Sequence, residues 1–162
     1  KAHTFGNFVL ATVHRVENTD SIERLKNIIR ALESLSLPVI LPAHPRLLQR
    51  LVDFKIDINK DKIKIIEPLG HKELLEMVMN AKCVITDSGG LQKEAFMLHK
   101  ICITVRNETE WPETLKSNWN RLDPNLNYIN ETWWELSADK NIISEYGDGK
   151  TSFMILDALI KY

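Results

Sequence analysis

Short apolar runs and longer amphipathic stretches alternate along this chain. Residues 8–13 form a first apolar run, and the polar loop His14-Arg15-Val16-Glu17-Asn18 follows it. Thr19, Asp20 and Ser21 are helix-start residues, and Ile22, Leu25, Ile28, Ile29 and Leu32 then recur at helical spacing. The same alternation repeats. A strand is predicted over 38–42, ending in Ala43-His44-Pro45, and a short helix on Leu47, Leu48, Leu51 and Val52. A strand over 63–66 leads through the turn Pro68-Leu69-Gly70 to a helix on Leu74, Leu75, Met77, Val78 and Ala81. Residues 83–86 are a β-branched run of the kind buried on both faces of a sheet. Asp87-Ser88-Gly89-Gly90 breaks that run, and Leu91, Ala95 and Leu98, with Phe96 and Met97, trace the next helix. Residues 101–105 form the fifth predicted strand.

Beyond Arg106 the alternation loosens. Residues 107–120 predict a loop with a short helix from Pro112. Tyr128-Ile129 and residues 132–136 fit neither period. Tyr146-Gly147-Asp148-Gly149-Lys150 is a breaker, and a last helix follows with Met154, Ile155, Ala158, Leu159 and Ile160 as its apolar face. Strands alternating with helices predict an α/β fold: a doubly wound, Rossmann-like parallel sheet covered on both faces. The first strand begins close to Lys1, so an upstream segment is expected to be missing.

Composition narrows the class. The 162 residues, 44% hydrophobic and 27% charged, suit one domain with a core of its own. A net charge of -1 implies no polyanion-binding surface, so nucleic acid is not an expected partner. No apolar run approaches the ~20 residues of a membrane span, and no signal-peptide core follows Lys1. No membrane association is therefore expected, and the expected location is cytoplasmic. Cys83 and Cys102 lie in predicted buried strands without metal-ligand spacing. They are expected to be free core thiols, and no metal site is expected.

The polar clusters share one position, the carboxyl end of a predicted strand. His14-Arg15, His44-Pro45-Arg46, Asp87-Ser88-Gly89-Gly90 and Arg106-Asn107-Glu108 each follow a strand. Ligands of doubly wound sheets sit at that edge. A helix opening with Ser88-Gly89-Gly90 presents free N–H groups and a positive dipole end to an anion, and the glycines allow a close approach. The bland alternative is a serine-capped turn without a ligand. No GxGxxG follows the first strand, which disfavours an NAD-type fold, and there is no GxxxxGK[ST].

Five blocks in a fixed order carry a family resemblance. They are His14-Arg15-x-Glu17-Asn18, Pro42-x-His44, Thr86-Asp87-Ser88-Gly89-Gly90-x-Gln92-x-Glu94-Ala95, Arg106-x-x-Thr109-Glu110-x-Pro112-Glu113 and Tyr146-Gly147-Asp148-Gly149. Together they resemble the non-hydrolysing UDP-N-acetylglucosamine 2-epimerases, from about Val9 to the C-terminus. The resemblance implies the C-terminal, UDP-binding lobe of a two-lobed GT-B fold, over residues 1–162, with the N-terminal lobe absent. It implies inversion at C2 of a UDP-amino sugar by elimination and re-addition of UDP, without metal or redox cofactor. UDP, the UDP-amino sugar and the missing lobe are the implied partners, and a homodimer of the full-length protein is left open.

By the same resemblance His14 is the active-site histidine near the diphosphate, and Ser88, Gly89 and Gly90 bind the diphosphate. Glu94 accepts from ribose hydroxyls. Arg15 offers a phosphate fork, with a surface pair to Glu17 as its alternative. Arg106 reaches nucleotide or cleft. His44 lies near the interlobe cleft or a regulatory second site, with a plain strand-end histidine as its alternative. Glu113 orders its loop.

Two departures stand out. Val16 and Trp111 occupy positions where many family members carry arginine. Trp111 is expected to face the missing lobe or the sugar, or to anchor its own loop. The lost cations leave the sugar open, with diacetamido uronic acids among the alternatives. Two other function classes also remain: the donor lobe of a GT-B glycosyltransferase and a non-catalytic nucleotide-sugar module. Against the first, the Glu-x7-Glu pattern of retaining transferases is missing, because Cys102 stands where the second Glu would be.

Overall fold

A computed structural model describes residues 7–116, 118–127, 129, 146–147 and 149–160. Residues 132–136, Tyr128 and Asp148 lie outside the described residues. All five predicted strands form, as β1 (Val9–Thr12), β2 (Val39–Pro42), β3 (Ile63–Ile66), β4 (Cys83–Thr86) and β5 (Cys102–Thr104). A sixth, β6 (Asn120–Leu122), completes one sheet of order β3-β2-β1-β4-β5-β6. Every neighbouring pair is parallel. Between them run α1 (Val16–Thr19), α2 (Ile22–Glu33), α3 (Pro45–Asp53), α4 (His71–Asn80) and α5 (Gly89–Met97), and α6 (Thr151–Ile160) ends the chain.

The strands read as continuous apolar runs because both faces of the sheet are covered. Successive strand residues point to opposite sides. Val9, Ala11, Val39, Leu41, Cys83 and Ile85 meet Leu25, Ile28 and Leu32 of α2 and Leu47 of α3. Leu10, Ile40, Val84 and Cys102 meet Met77 and Val78 of α4 and Leu91 and Ala95 of α5. Burying each Val, Leu, Ile or Met among them contributes roughly 1.5–3 kcal/mol. Both cysteines are free and buried, as their sequence context implies. Burial pushes the Cys102 thiol up to about 12 and raises Cys83 well above its usual value, so neither is a ready nucleophile.

The chain winds outward from β1 to β3, then returns to lay β4 against the other side of β1. The crevice between the carboxyl ends of β1 and β4 is therefore the topological switch point, where such sheets bind ligands.

Three elements differ from the sequence reading. The loop after β1 contains the single turn α1, too short to show a hydrophobic period. Asn18 and Thr19 each donate a backbone N–H to Arg15 O at 3.0 Å. β6 is polar in sequence, Asn-Arg-Leu, and is specified by pairing instead: Cys102 donates to Trp119 O at 2.7 Å and Asp123 to Thr104 O at 2.9 Å. α6 forms where predicted, yet all of its residues are exposed, Met154 at 69% and Ile160 at 73%. A helical period is a local property, whereas burial needs a surface to pack on. The short helix predicted from Pro112 is present as a 3-10 turn, Pro112–Leu115. Among the described residues no helix is long and apolar enough to cross a membrane.

Candidate functional site

The switch point is held by one buried acid. Asp87, at the end of β4, is 0% exposed. Its carboxylate accepts the backbone N–H of His14 at 3.0 Å and of Arg15 at 2.9 Å. It also accepts Asn18 Nδ2 at 3.0 Å, and His14 Nδ1 lies 2.9 Å from Oδ1. Asn18, equally buried, donates to Val105 O at 3.0 Å and accepts from Arg24 Nε at 3.1 Å. The loops after β1, β4 and β5 are thus tied together across about 70 to 90 positions of sequence. Thr12 and Thr86 hydroxyls, 2.6 Å apart, join the same two strand ends.

The titration behaviour follows from this geometry. The hydrogen bond to Asp87 raises His14 above its ordinary value, against the opposing effect of burial and of Arg15. Burial pushes the Asp87 carboxyl up, but the hydrogen bonds from His14, Asn18 and the Arg15 N–H outweigh it and hold the group below its ordinary value.

Beside this pair α5 begins. Ser88 caps it, accepting from Leu91 N at 3.4 Å, and the Ser88 N–H is turned to Thr86 Oγ1 at 2.9 Å. Gly89 and Gly90 form its first residues. A Cβ built on Gly90 would meet nothing within 4 Å, so open space lies over this helix end. A cleft of about 390 Å³ occupies that space, with His14, His44, Ser88, Gly90 and Glu94 on its walls. Pro68, Leu69 and Leu74 supply an apolar side. Glu94, one helical turn beyond Gly90, is 30% exposed and takes a 2.7 Å hydrogen bond from His71 Nε2. His44 caps α3, its Nδ1 accepting from Arg46 N at 3.2 Å. That ring nitrogen therefore carries no proton, and a single donor remains on His44.

The other residues singled out from sequence gather on the far side of the glycine turn. Arg106, 8% exposed, donates through Nη1 to both oxygens of Glu110 at 2.8 Å and stands 3.6 Å from Glu17. Arg15 is 3.9 Å from Glu110 rather than paired with Glu17. Arg106 holds the Glu110 carboxyl below its ordinary value. Glu110 also reaches the turn itself, since a Cβ on Gly89 would lie 3.0 Å from its Oε2. Trp111 donates Nε1 to Gly89 O at 2.9 Å and packs edge-on against Tyr146, with Lys93 Nζ 4.4 Å from its ring centre. These are the contacts of a loop anchor. Glu113 sits on the Pro112–Leu115 turn with a buried Oε2 that has no hydrogen-bond partner among the described residues.

Three contributors escaped the sequence reading in this role. Asp87 reads there as turn chemistry, although an acid ending a fully buried strand is itself a signal that something must satisfy it. Asn18 stands in the first motif block but its role is not legible there, and His71 is not singled out at all, because their partners are distant in sequence.

The family model described as UDP-N-acetylglucosamine 2-epimerase matches residues 1–160. A UDP-N-acetylglucosamine 2-epimerase homolog of Methanococcus maripaludis is 40% identical over 157 residues, 94% of this chain and 44% of that protein. The UDP-2,3-diacetamido-2,3-dideoxy-D-glucuronate 2-epimerase of Pseudomonas aeruginosa is 38% identical over 160 residues, 95% of this chain and 44% of that protein. The crystal structure of the Methanocaldococcus jannaschii UDP-GlcNAc 2-epimerase in complex with UDP-GlcNAc and UDP superposes with a TM-score of 0.80. It is 38% identical, and the match covers 97% of this chain and 46% of that one. The chain thus spans less than half the length of the relatives it matches.

Proposed function

The chain belongs to the UDP-N-acetylglucosamine 2-epimerase family, and from that premise we propose that it is the UDP-binding half of an enzyme that inverts C2 of a UDP-2-acetamido sugar. The observation that carries the reading is the convergence of the α5 N-terminus, His14 and Glu94 on one cleft at the switch point. The diphosphate lies over Ser88, Gly89 and Gly90, where helix N–H groups and the helix dipole meet its charge. Glu94 exchanges His71 for two ribose hydroxyls, and the base takes the apolar side formed by Pro68 and Leu69. Arg106 and Arg15, bridged by Glu110, hold the turn from behind.

In the proposed reaction a base removes the C2 proton while the C1–O bond breaks. A glycal and UDP result, and re-addition of UDP with protonation of C2 from the other side gives the epimer. Charge grows on the diphosphate as that bond breaks, so preorganised donors aimed at it lower the barrier. His14, beside the leaving group, donates to it. The groups that move the C2 proton belong to the other lobe, and productive geometry needs both walls of the cleft. The sugar is UDP-N-acetylglucosamine or a relative such as a diacetamido uronic acid.

Titration calorimetry tests the reading. These 162 residues are expected to bind UDP saturably and to leave UDP-N-acetylglucosamine unchanged over hours. Absence of UDP binding defeats the proposal; epimerisation by this chain alone defeats the assignment of proton transfer to another lobe.

A further inference from the structure

We propose that Asp87 is the positioning residue of this site: its buried carboxylate holds Nδ1–H of His14 and so sets Nε2, with a proton on it, toward the diphosphate of a bound uridine nucleotide. The inference rests on the UDP-binding reading above and names how one of its groups is prepared.

Ionised Asp87 can only accept hydrogen bonds. Every group that faces it is a donor: two backbone N–H groups, Asn18 Nδ2 and His14 Nδ1. Nδ1 of His14 must therefore carry a hydrogen, and the outer nitrogen is Nε2. His14 is 44% exposed and lines the cleft, whereas its partner is fully buried. A buried negative charge needs a compensating one. The guanidinium of Arg15 is turned to Glu110 and that of Arg106 to Glu110 and Glu17, so His14 is the cationic partner within reach. The other titratable groups on the cleft are His44, His71 and Glu94, and Glu94 is already engaged by His71. Arg15 opposes the charge on His14 and Asp87 favours it, with Asp87 the stronger.

Two consequences follow for the reaction. His14 meets the nucleotide as a charged donor that is already oriented, so no reorganisation is needed when the leaving group develops its charge. Asp87 is fully buried and does not line the cleft, so it acts through His14. It also accepts from the loop backbone at His14 and Arg15, so imidazole and glycine turn are presented as one rigid unit.

Nitrogen-15 NMR of the His14 ring in the ligand-free chain, recorded against pH, reads the device directly. The expected result is titration above the ordinary value of about 6.5, with the neutral form protonated on Nδ1. In Asp87→Asn the amide oxygen still accepts from the backbone, but the amide nitrogen donates to Nδ1. The neutral ring should then switch to the Nε2–H form and titrate lower. UDP affinity of the wild type should weaken as pH rises through the raised His14 value. In Asp87→Asn that weakening should move to lower pH, with about a tenfold loss at neutral pH, as for one charge-assisted contact.

A wild-type His14 that titrates at or below its ordinary value, or a tautomer unchanged in Asp87→Asn, overturns the proposal. If that variant does not fold, the wild-type titration decides, supported by Asn18→Ala, which should keep the Nδ1–H form. UDP binding with the wrong tautomer removes Asp87's role alone. The right tautomer without UDP binding removes the UDP reading, and with it the diphosphate as what His14 faces.

Discussion

Two hollows in this molecule differ in a way that volume does not reveal. The larger, about 480 Å³, lies between α3 and β3 at the sheet margin, walled by Leu48, Val52, Ile58 and Ile65 with Lys60 and Lys64 at its rim. The smaller, about 390 Å³, is the cleft over β1, β4 and the start of α5. The first arises because β3 is an edge strand and α3 is short. Its lining is mainly aliphatic, with Asp57, Lys60 and Lys64 as the charged residues among those described. The second holds a glycine-led helix end, an imidazole backed by a buried acid, and a carboxylate one turn further on. On the proposed reading, binding is specified by convergent polar groups at the switch point, not by the amount of apolar space.

The sharpest way to break this contrast is to fill the smaller hollow. A side chain at Gly90 meets nothing within 4 Å in the empty protein. Gly90→Val should therefore keep a melting temperature near that of the wild type. The same side chain stands where the diphosphate is proposed to lie, so UDP affinity should fall by about a hundredfold or more, the equivalent of ~3 kcal/mol of lost charge-assisted contacts. Unchanged affinity would move the nucleotide elsewhere.

Glu94→Ala should act in the same direction with less effect. Losing the proposed ribose contacts is expected to cost roughly tenfold in UDP affinity. Stability should change little, because the His71–Glu94 pair is largely exposed and such pairs contribute about 0–1 kcal/mol. Calorimetry and a thermal melt on one sample separate the two quantities, and equal UDP affinity would take Glu94 out of the site.

The smallest effect belongs to the larger hollow. Val52 is 72% exposed on its wall. Val52→Ser should alter stability by no more than about 0.5 kcal/mol and leave UDP affinity as it was. A marked loss of UDP binding there would reverse the comparison.

Most of the frame is legible in local patterns of the chain. Short continuous apolar runs mark five strands and period-3.6 patterns the longer helices, because each pattern reflects which faces a local element must bury. The Ser88-Gly89-Gly90 helix start is equally legible, since capping and glycine's open approach are local chemistry. So is the placement of polar clusters at strand carboxyl ends, which parallel winding puts on one edge of the sheet. What the sequence did not decide is who meets whom. β6 exists only as a partner for β5, and α1 is one turn held by Arg15 O. α6 keeps its predicted period but buries none of it. His14 and Asp87 are 73 positions apart, and no periodicity links them. Arg106 and Arg15 both stand beside Glu110, a meeting that no local pattern announces. Hydrogen bonds and ion pairs act over about 3–4 Å in space, so only the winding of the chain, which brings the ends of β1, β4 and β5 together, selects those partners.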